Sequence, residues 1–212
     1  MKYIIMCGGT YTFWDKPRQL TEVKGEPIVA RTIRLLRENG ITDIAISSDN
    51  PVYKRFGVPV LTHNNEYSTD GYDQITDGYW CNCFYPMDEP VCYLFGDVIF
   101  SPKAIKTIVE TKVEDIMLFG SKPPFSKEYQ KPYIEPFAFK VQNTAHLKNA
   151  CLEVKELDAL GVFKRQPIAW ELWSVICGSA PNIIDYSYVG INDYTTDIDF
   201  PEEVEKVLKW IE

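Results

Sequence analysis

The sequence predicts an α/β fold: a three-layer α/β/α sandwich around a mostly parallel, mixed central sheet of the Rossmann-like kind. Three observations carry that prediction. Strand-like and helix-like segments alternate from the N-terminus onward, which is the pattern of a sheet with helices on its faces. The strand-like runs, YIIMC, IAIS and VCYLF, are apolar at consecutive positions, as expected of strands covered on both sides. The helix-like runs have apolar residues at helical spacing and are bounded by Pro and Gly.

Tyr3–Cys7 reads as a buried strand that breaks at Gly8-Gly9. Pro27 to Asn39 reads as a helix, with Ile28, Val29, Ile33, Leu35 and Leu36 on one face, Pro at its start and Gly40 after its end. Ile44–Ser47 follows as a strand, so the first two strands should be parallel neighbours in a βαβ unit. Val58–Leu61 is a short strand. Ser68 to Cys83 reads as a helix capped by Ser68 or Thr69, interrupted by Gly71 and Gly78. Val91–Phe95 is a strand stopped by Gly96-Asp97, and Ser101-Pro102 opens a helix to about Glu110. Ile116–Phe119 is a further strand. The Pro- and Lys-rich stretch 121–136 predicts a loop or antiparallel excursion, with a returning strand from Ile134 to Val141. Helices near 143–160 and 167–177, a late strand over Ile183–Tyr188 and a closing helix from Pro201 to Ile211 complete the chain.

The 212 residues suffice for one domain with a sizeable core, and no repeat or linker divides residues 1–212. A formal charge of −8 argues against a nucleic-acid partner, which calls for a basic stripe. The apolar N-terminal run is too short for a signal peptide or membrane span, and no later run approaches spanning length, so a cytoplasmic location with no membrane partner is expected. The six cysteines lack zinc-type CxxC spacing and read as reduced, mostly buried thiols.

Four places bear chemistry. The first is the strand-to-loop junction Cys7-Gly8-Gly9-Thr10, followed by Lys16-Pro17-Arg18-Gln19-Leu20 and Gly25-Glu26-Pro27-Ile28. Glycines after a buried strand let backbone N–H groups approach an anion, and Lys16 and Arg18 would neutralise it. Taken alone, Gly8-Gly9 is equally a tight turn, and it matches neither the GxGxxG fingerprint nor the Walker loop. The second is Gly96-Asp97 at the carboxyl end of a predicted parallel strand, where α/β sheets bind ligands and where a carboxylate suits Mg²⁺. The third is Thr196-Asp197-Ile198-Asp199-Phe200-Pro201-Glu202-Glu203, locally an acidic cap before a helix. The fourth is Ser68 to Gly78. His63 and His146 stand beside no nucleophile or metal motif.

In that order these segments resemble the sugar-phosphate nucleotidyltransferases of GT-A-like fold, whose signature runs strand, GGxGTR, PKxL, GxP(I/L), then GD and a late DxDTPE. Pro17-Arg18-Gln19-Leu20 stands for PKxL, Gly25-Glu26-Pro27-Ile28 for GxPI, Gly96-Asp97 for GD, and Asp199 for the Asp before xPE. The likeness implies a nucleotidyltransferase with Mg²⁺ as cofactor. Its partners would be a nucleoside triphosphate, CTP or UTP favoured, and a sugar phosphate or small phosphorylated alcohol, as in sugar-nucleotide and polysaccharide biosynthesis. It implies catalytic roles for Lys16, Arg18 and Asp97, and nucleotide contacts from Cys7, Gly8, Gly9, Thr10, Gln74 and Gly96. Asp97 and Asp199 would hold the metal, with Asp197 as the alternative to Asp199. Glu135 and Glu171 would meet the acceptor beside the loop lysines Lys122, Lys127 and Lys131, and a homodimer is compatible with the family. The glycine loop is shorter than the family's and lacks its third Gly and its Arg. That supports one alternative, a nucleotide-binding domain without turnover; a second is a GT-A glycosyltransferase, whose D-x-D metal motif Gly96-Asp97-Val98-Ile99 would meet with a single Asp. Attack by an acceptor phosphate on the α-phosphorus of a nucleoside triphosphate, with pyrophosphate leaving, needs positioning and charge stabilisation more than proton transfer, so the lack of a catalytic His fits.

Overall fold

The computed structural model describes residues 1–11, 13–63, 67–69, 75–123 and 131–211. Among these, the main sheet has seven strands: β1 (Lys2–Met6), β2 (Ile44–Ser47), β3 (Val60–Leu61), β4 (Val91–Phe95), β5 (Ile116–Ser121), β6 (Pro136–Val141) and β7 (Val189–Ile191). Their spatial order is β7–β5–β6–β4–β1–β2–β3. β6 runs antiparallel to both its neighbours, and the other pairings are parallel.

β1 lies between β2 and β4, with Ile4 opposite Ala45 on one side and Tyr93 on the other. Consecutive side chains therefore point to opposite layers. Tyr3 and Ile5 join α1 (Ile28–Glu38) and α2 (Pro102–Glu110) through Val29, Ile33, Ile105 and Ile108. Ile4 and Met6 join α3 (Thr144–Ala159) and α4 (Ala169–Ile176) through Leu147, Val154, Trp170 and Leu172. This is the three-layer arrangement, and it explains why the run YIIMC has no polar alternation. Ile4 and Ile5 are both fully buried, each contributing about 1.5–3 kcal/mol of apolar burial. A third cluster seats α5 (Glu203–Leu208) on the start of α1: Val204 and Val207 meet Ile28, Ile99 and Ile198.

The helix starts follow their capping residues. Ser101 accepts the Ala104 N–H at 2.9 Å at the head of α2, and Asn143 accepts the His146 N–H at 3.1 Å at the head of α3. Three sequence expectations are corrected. The described residues between Ser68 and Cys83 do not form the expected helix: strands Tyr67–Thr69 and Ile75–Gly78 pair antiparallel, and a 3₁₀ turn covers Trp80–Cys83. Gly78 sits at φ +79, which an α-helix cannot contain, and Ser, Thr, Tyr and Ile favour the extended form. The late strand comes after Ile183–Tyr188, as β7 at Val189–Ile191. Val58–Leu61 shortens to Val60–Leu61.

From β1 the chain moves through α1 to β2 on one side, and it later returns to place β4 on β1's other side. The strand order thus reverses between β1 and β4, and a crevice opens at their carboxyl ends, where open α/β sheets bind ligands. Gly8 follows β1 there and Gly96-Asp97 follows β4.

Candidate active site

A cavity of about 590 Å³ occupies that crevice. Its walls include Gly8, Arg18, Gly96, Asp97, Glu135, Glu171 and Asp199, seven of the residues that the sequence singles out. Two backbone devices bring distant carboxylates together. The strand Val98–Ile99, directly after Asp97, pairs antiparallel with Thr196–Asp197. The Ile198 N–H then donates to the Asp97 carbonyl at 3.2 Å, which sets Asp199 beside Asp97 although a hundred residues of chain, roughly, separate them.

Arg18 closes this carboxylate pair. It stands at the head of the 3₁₀ turn Arg18–Leu20, and its side chain is buried. One Nη meets Asp97 Oδ2, while the other meets Asp199 Oδ1 at 2.9 Å and the Ile198 carbonyl at 2.9 Å. On the far side of Asp199, Lys131 meets Asp197 Oδ1 and Asp199 Oδ2, with Glu203 Oε2 at 3.6 Å. Glu203 in turn accepts the N–H groups of Asp199 (2.8 Å) and Phe200 (3.2 Å), fixing the turn into α5. Trp14 donates from its indole to the Asp199 carbonyl at 2.8 Å.

Glu135 is fully buried at the foot of β6. Its Oε1 accepts from the Thr196 hydroxyl at 2.5 Å and the Asp197 N–H at 3.0 Å, while Oε2 is a buried acceptor with no hydrogen-bond partner. Burial lifts the Glu135 carboxyl well above the usual range, and Asp197 lifts it further against the pull of Lys131. Burial also lifts Asp97; Arg18 opposes this, and the charges of Asp197 and Asp199 add to it. Asp197 moves the other way, because Lys131 and Arg18 outweigh its burial. Burial pulls Lys131 down, yet Asp197, Asp199, Glu203 and Glu135 raise it overall, so it stays an ammonium.

Gly96 is required by close approach rather than by a turn. A Cβ there would lie 2.3 Å from the Met6 carbonyl oxygen and 2.8 Å from Cys7 Sγ. Cys7 itself is buried behind Gly96 and its side chain does not line the cavity; its burial pushes the thiol well up. Gly9 adopts φ +85 and is exposed outside the wall. Lys16 is exposed and also outside it, so the cation the structure delivers from that loop is Arg18. Thr10 begins the strand Thr10–Tyr11, which pairs with Ser68–Thr69; its side chain is outside what the structure describes. Gln74 and Lys127 lie outside the described residues. Lys122 packs its stem against Gly190 instead of the cavity.

Glu171 reaches the cavity already engaged. It accepts from Arg165 Nε at 2.8 Å and from the Ile168 N–H at 3.0 Å, capping α4. Sequence reading missed Lys164 and Arg165, which line the outer wall, and the aromatic wall of Trp80 and Phe95. It named Lys131 only as a loop lysine, with no signal that it would reach the C-terminal aspartates. Of the two tryptophans near Glu171, Trp170 lines the cavity and Trp173 is core, its indole donating to the Asp185 carbonyl at 3.1 Å.

Among the described residues no three His, Cys, Asp or Glu side chains converge as a ready cage for a metal, since Arg18 and Lys131 lie between the carboxylates. The donor set is nonetheless suited to a hard divalent cation. Asp97, Asp197 and Asp199 line the cavity as oxygen donors, and Glu135 Oε2 has no hydrogen-bond partner.

No family model matches the chain, and no curated protein sequence matches it. Solved structures do. The inositol-1-phosphate CTP transferase from T. maritima superposes with a TM-score of 0.55 at 15% identity, over 100% of this chain and 97% of that one. A putative glucose-1-phosphate thymidylyltransferase from Bacillus anthracis gives 0.53 at 16% identity, over 98% and 94%. The CTP:phosphocholine cytidylyltransferase LicC from Streptococcus pneumoniae gives 0.50 at 14% identity, over 98% and 97%. The chain therefore has the α/β fold of the sugar-phosphate and CTP-dependent nucleotidyltransferases along its full length.

Proposed function

We propose that the chain is a single-domain, cytoplasmic, Mg²⁺-dependent nucleotidyltransferase. It joins a nucleoside triphosphate, CTP or UTP in preference, to a sugar phosphate or small phosphorylated alcohol and releases pyrophosphate. The observation that carries this reading is the placement of Gly8, Arg18, Asp97 and Asp199 in one cavity at the β1/β4 strand reversal. Asp97 and Asp199 would hold the divalent cation, which when bound neutralises charge on the triphosphate. Arg18 supplies a guanidinium whose planar fork suits phosphate oxygens. Gly8 leaves the backbone open to a bulky anion. Glu135 and the Arg165–Glu171 pair line the cavity, where they orient the acceptor. An acceptor phosphate is largely dianionic near neutrality, so these residues need only align it and exclude water.

One observation favours a second reading, a domain that binds nucleotide without turnover. The residues after Gly9, where the family's anion-binding loop would continue, pair as strand Thr10–Tyr11 in a small sheet. Calorimetry with each of the four triphosphates and Mg²⁺, followed by pyrophosphate release with phosphorylated acceptors, separates the readings. We expect CTP or UTP to bind and turn over, and Asp97→Asn to reduce turnover at least about 100-fold. Binding without pyrophosphate release from any acceptor selects the second reading, and no binding overturns both.

A further inference from the structure

We propose that Arg18 is an exchangeable counter-ion: its guanidinium and the divalent cation compete for the same two carboxylates, and the cation's arrival releases Arg18 to the triphosphate. The inference rests on the reading of Asp97 and Asp199 as metal ligands. Three features of the structure support it.

The guanidinium spans both aspartates, one nitrogen on Asp97 Oδ2 and the other on Asp199 Oδ1 at 2.9 Å. A metal ion drawing on these carboxylates therefore competes with Arg18 for the same two negative charges. Next, Asp199 is held from behind. Its Oδ2 meets Lys131, which also meets Asp197 and lies 3.6 Å from Glu203, and the Glu203 carboxylate fixes the Asp199 N–H at 2.8 Å. Asp199 thus keeps both its place and a cationic partner when Arg18 leaves. Finally, the backbone around Arg18 is fixed while its buried side chain lines the cavity. The Leu20 N–H donates to the Pro17 carbonyl at 2.9 Å, the Thr21 N–H to the Arg18 carbonyl at 3.0 Å, and the neighbouring Gln19 side chain accepts from the Tyr53 hydroxyl at 3.1 Å. Arg18 lines the same cavity as Gly8, so both border the space that a triphosphate would fill.

Such an exchange assigns Arg18 two partners in sequence. Before ligands arrive it neutralises buried carboxylates that would otherwise repel one another. Afterwards it becomes the phosphate-gripping cation in a chain whose glycine loop lacks the family's Arg. Because a ligand shifts an equilibrium only by its differential affinity for the two states, the exchange penalises metal binding in the absence of triphosphate.

The test is Mn²⁺ binding alone, followed by electron paramagnetic resonance and calorimetry on the full chain without nucleotide. Removing the competitor in Arg18→Met should tighten Mn²⁺ binding at least tenfold, and adding Asp97→Asn to that variant should abolish the gain. Arg18→Lys, which keeps one charge but loses the two-nitrogen grip of the guanidinium, should fall between and serves if the methionine variant does not fold. Unchanged or weaker Mn²⁺ binding in a folded Arg18 variant overturns the proposal and makes Arg18 a strut for the ligands. UTP and CTP binding to the wild type is scored separately. If no triphosphate binds while Arg18→Met tightens Mn²⁺, the functional reading and the hand-over to triphosphate fail, and the competition for the two carboxylates stands. If a triphosphate binds while Mn²⁺ affinity is unmoved, the exchange fails and the functional reading stands.

Discussion

Replacing Gly96 with Ala tests how the two strand ends that build the cavity are held together. The added Cβ would sit 2.3 Å from the Met6 carbonyl oxygen, 2.8 Å from Cys7 Sγ and 3.0 Å from Gln19 Cγ. Carbon and carbonyl oxygen ordinarily come no closer than about 3.3 Å, so β1 and the end of β4 must separate by about 1 Å. The first of these neighbours is backbone in the middle of the sheet, which cannot rotate away. The same carbonyl accepts the Gly96 N–H at 3.0 Å, so the separation also weakens a ladder hydrogen bond. Overpacking of this kind costs about 1–3 kcal/mol and the hydrogen bond about 1 kcal/mol more. A total of about 3 kcal/mol lowers the melting temperature of a domain this size by roughly 6–12 °C. Gly8 and Asp97 flank the displaced point, and a 1 Å misplacement at such a site can reduce turnover by about 100-fold. Calorimetric melting and calorimetric nucleotide titration check the two effects. Gly161→Ala is the control: Gly161 is at φ +69 with nothing within 4 Å, so Ala there meets only backbone strain of about 1–2 kcal/mol. If Gly96→Ala melts no lower than Gly161→Ala and binds nucleotide as the wild type does, the close-approach argument is wrong.

Two further predictions concern the scaffold. Lys140 on β6 is buried and donates to the carbonyls of Ile108 (2.9 Å), Val109 (2.9 Å) and Thr111 (2.7 Å), capping the C-terminal end of α2 with a positive charge. Lys140→Met should lower stability by about 2–3 kcal/mol, read as a reduced urea midpoint at constant slope, and Lys140→Arg should not restore it because the three carbonyls converge on one nitrogen, whereas the donors of the bulkier guanidinium diverge in a plane. Burial raises the Cys92 thiol from its ordinary 9.0 to about 12, only partly offset by Lys140. The folded state therefore keeps this proton longer than the unfolded chain does. The contribution is fully present below about pH 9 and is lost as pH rises toward 12, with a loss of about 1 kcal/mol by pH 10. Urea melts at pH 8 and pH 10 should differ less in Cys92→Ala than in the wild type; an identical pH response in both would refute the assignment.

Much of the architecture was legible because its signals are local. Val91–Phe95 and Ile44–Ser47 are strands at the predicted residues, and α2 begins at Pro102 after a Ser cap, because strand burial and helix starts depend on a few neighbouring side chains. The segment around Ser68–Gly78 was misread for the same reason in reverse: its strands are short and pair with each other and with Thr10–Tyr11, partners that no local window contains.

The sequence by itself determined the fold class, the order of the chemistry-bearing segments and the choice of Asp97, Asp199 and Arg18 as residues to examine. Only the tertiary structure decided that these three meet, through the pairing of Val98–Ile99 with Thr196–Asp197. It also decided that Lys131 rather than Lys16 stands with Arg18 among the carboxylates, and that Cys7 supports the site from behind. The physical reason is range. Secondary structure answers to neighbours a few residues away, whereas the charge balance of a site depends on side chains that only the crossing of distant strands brings within a few ångströms.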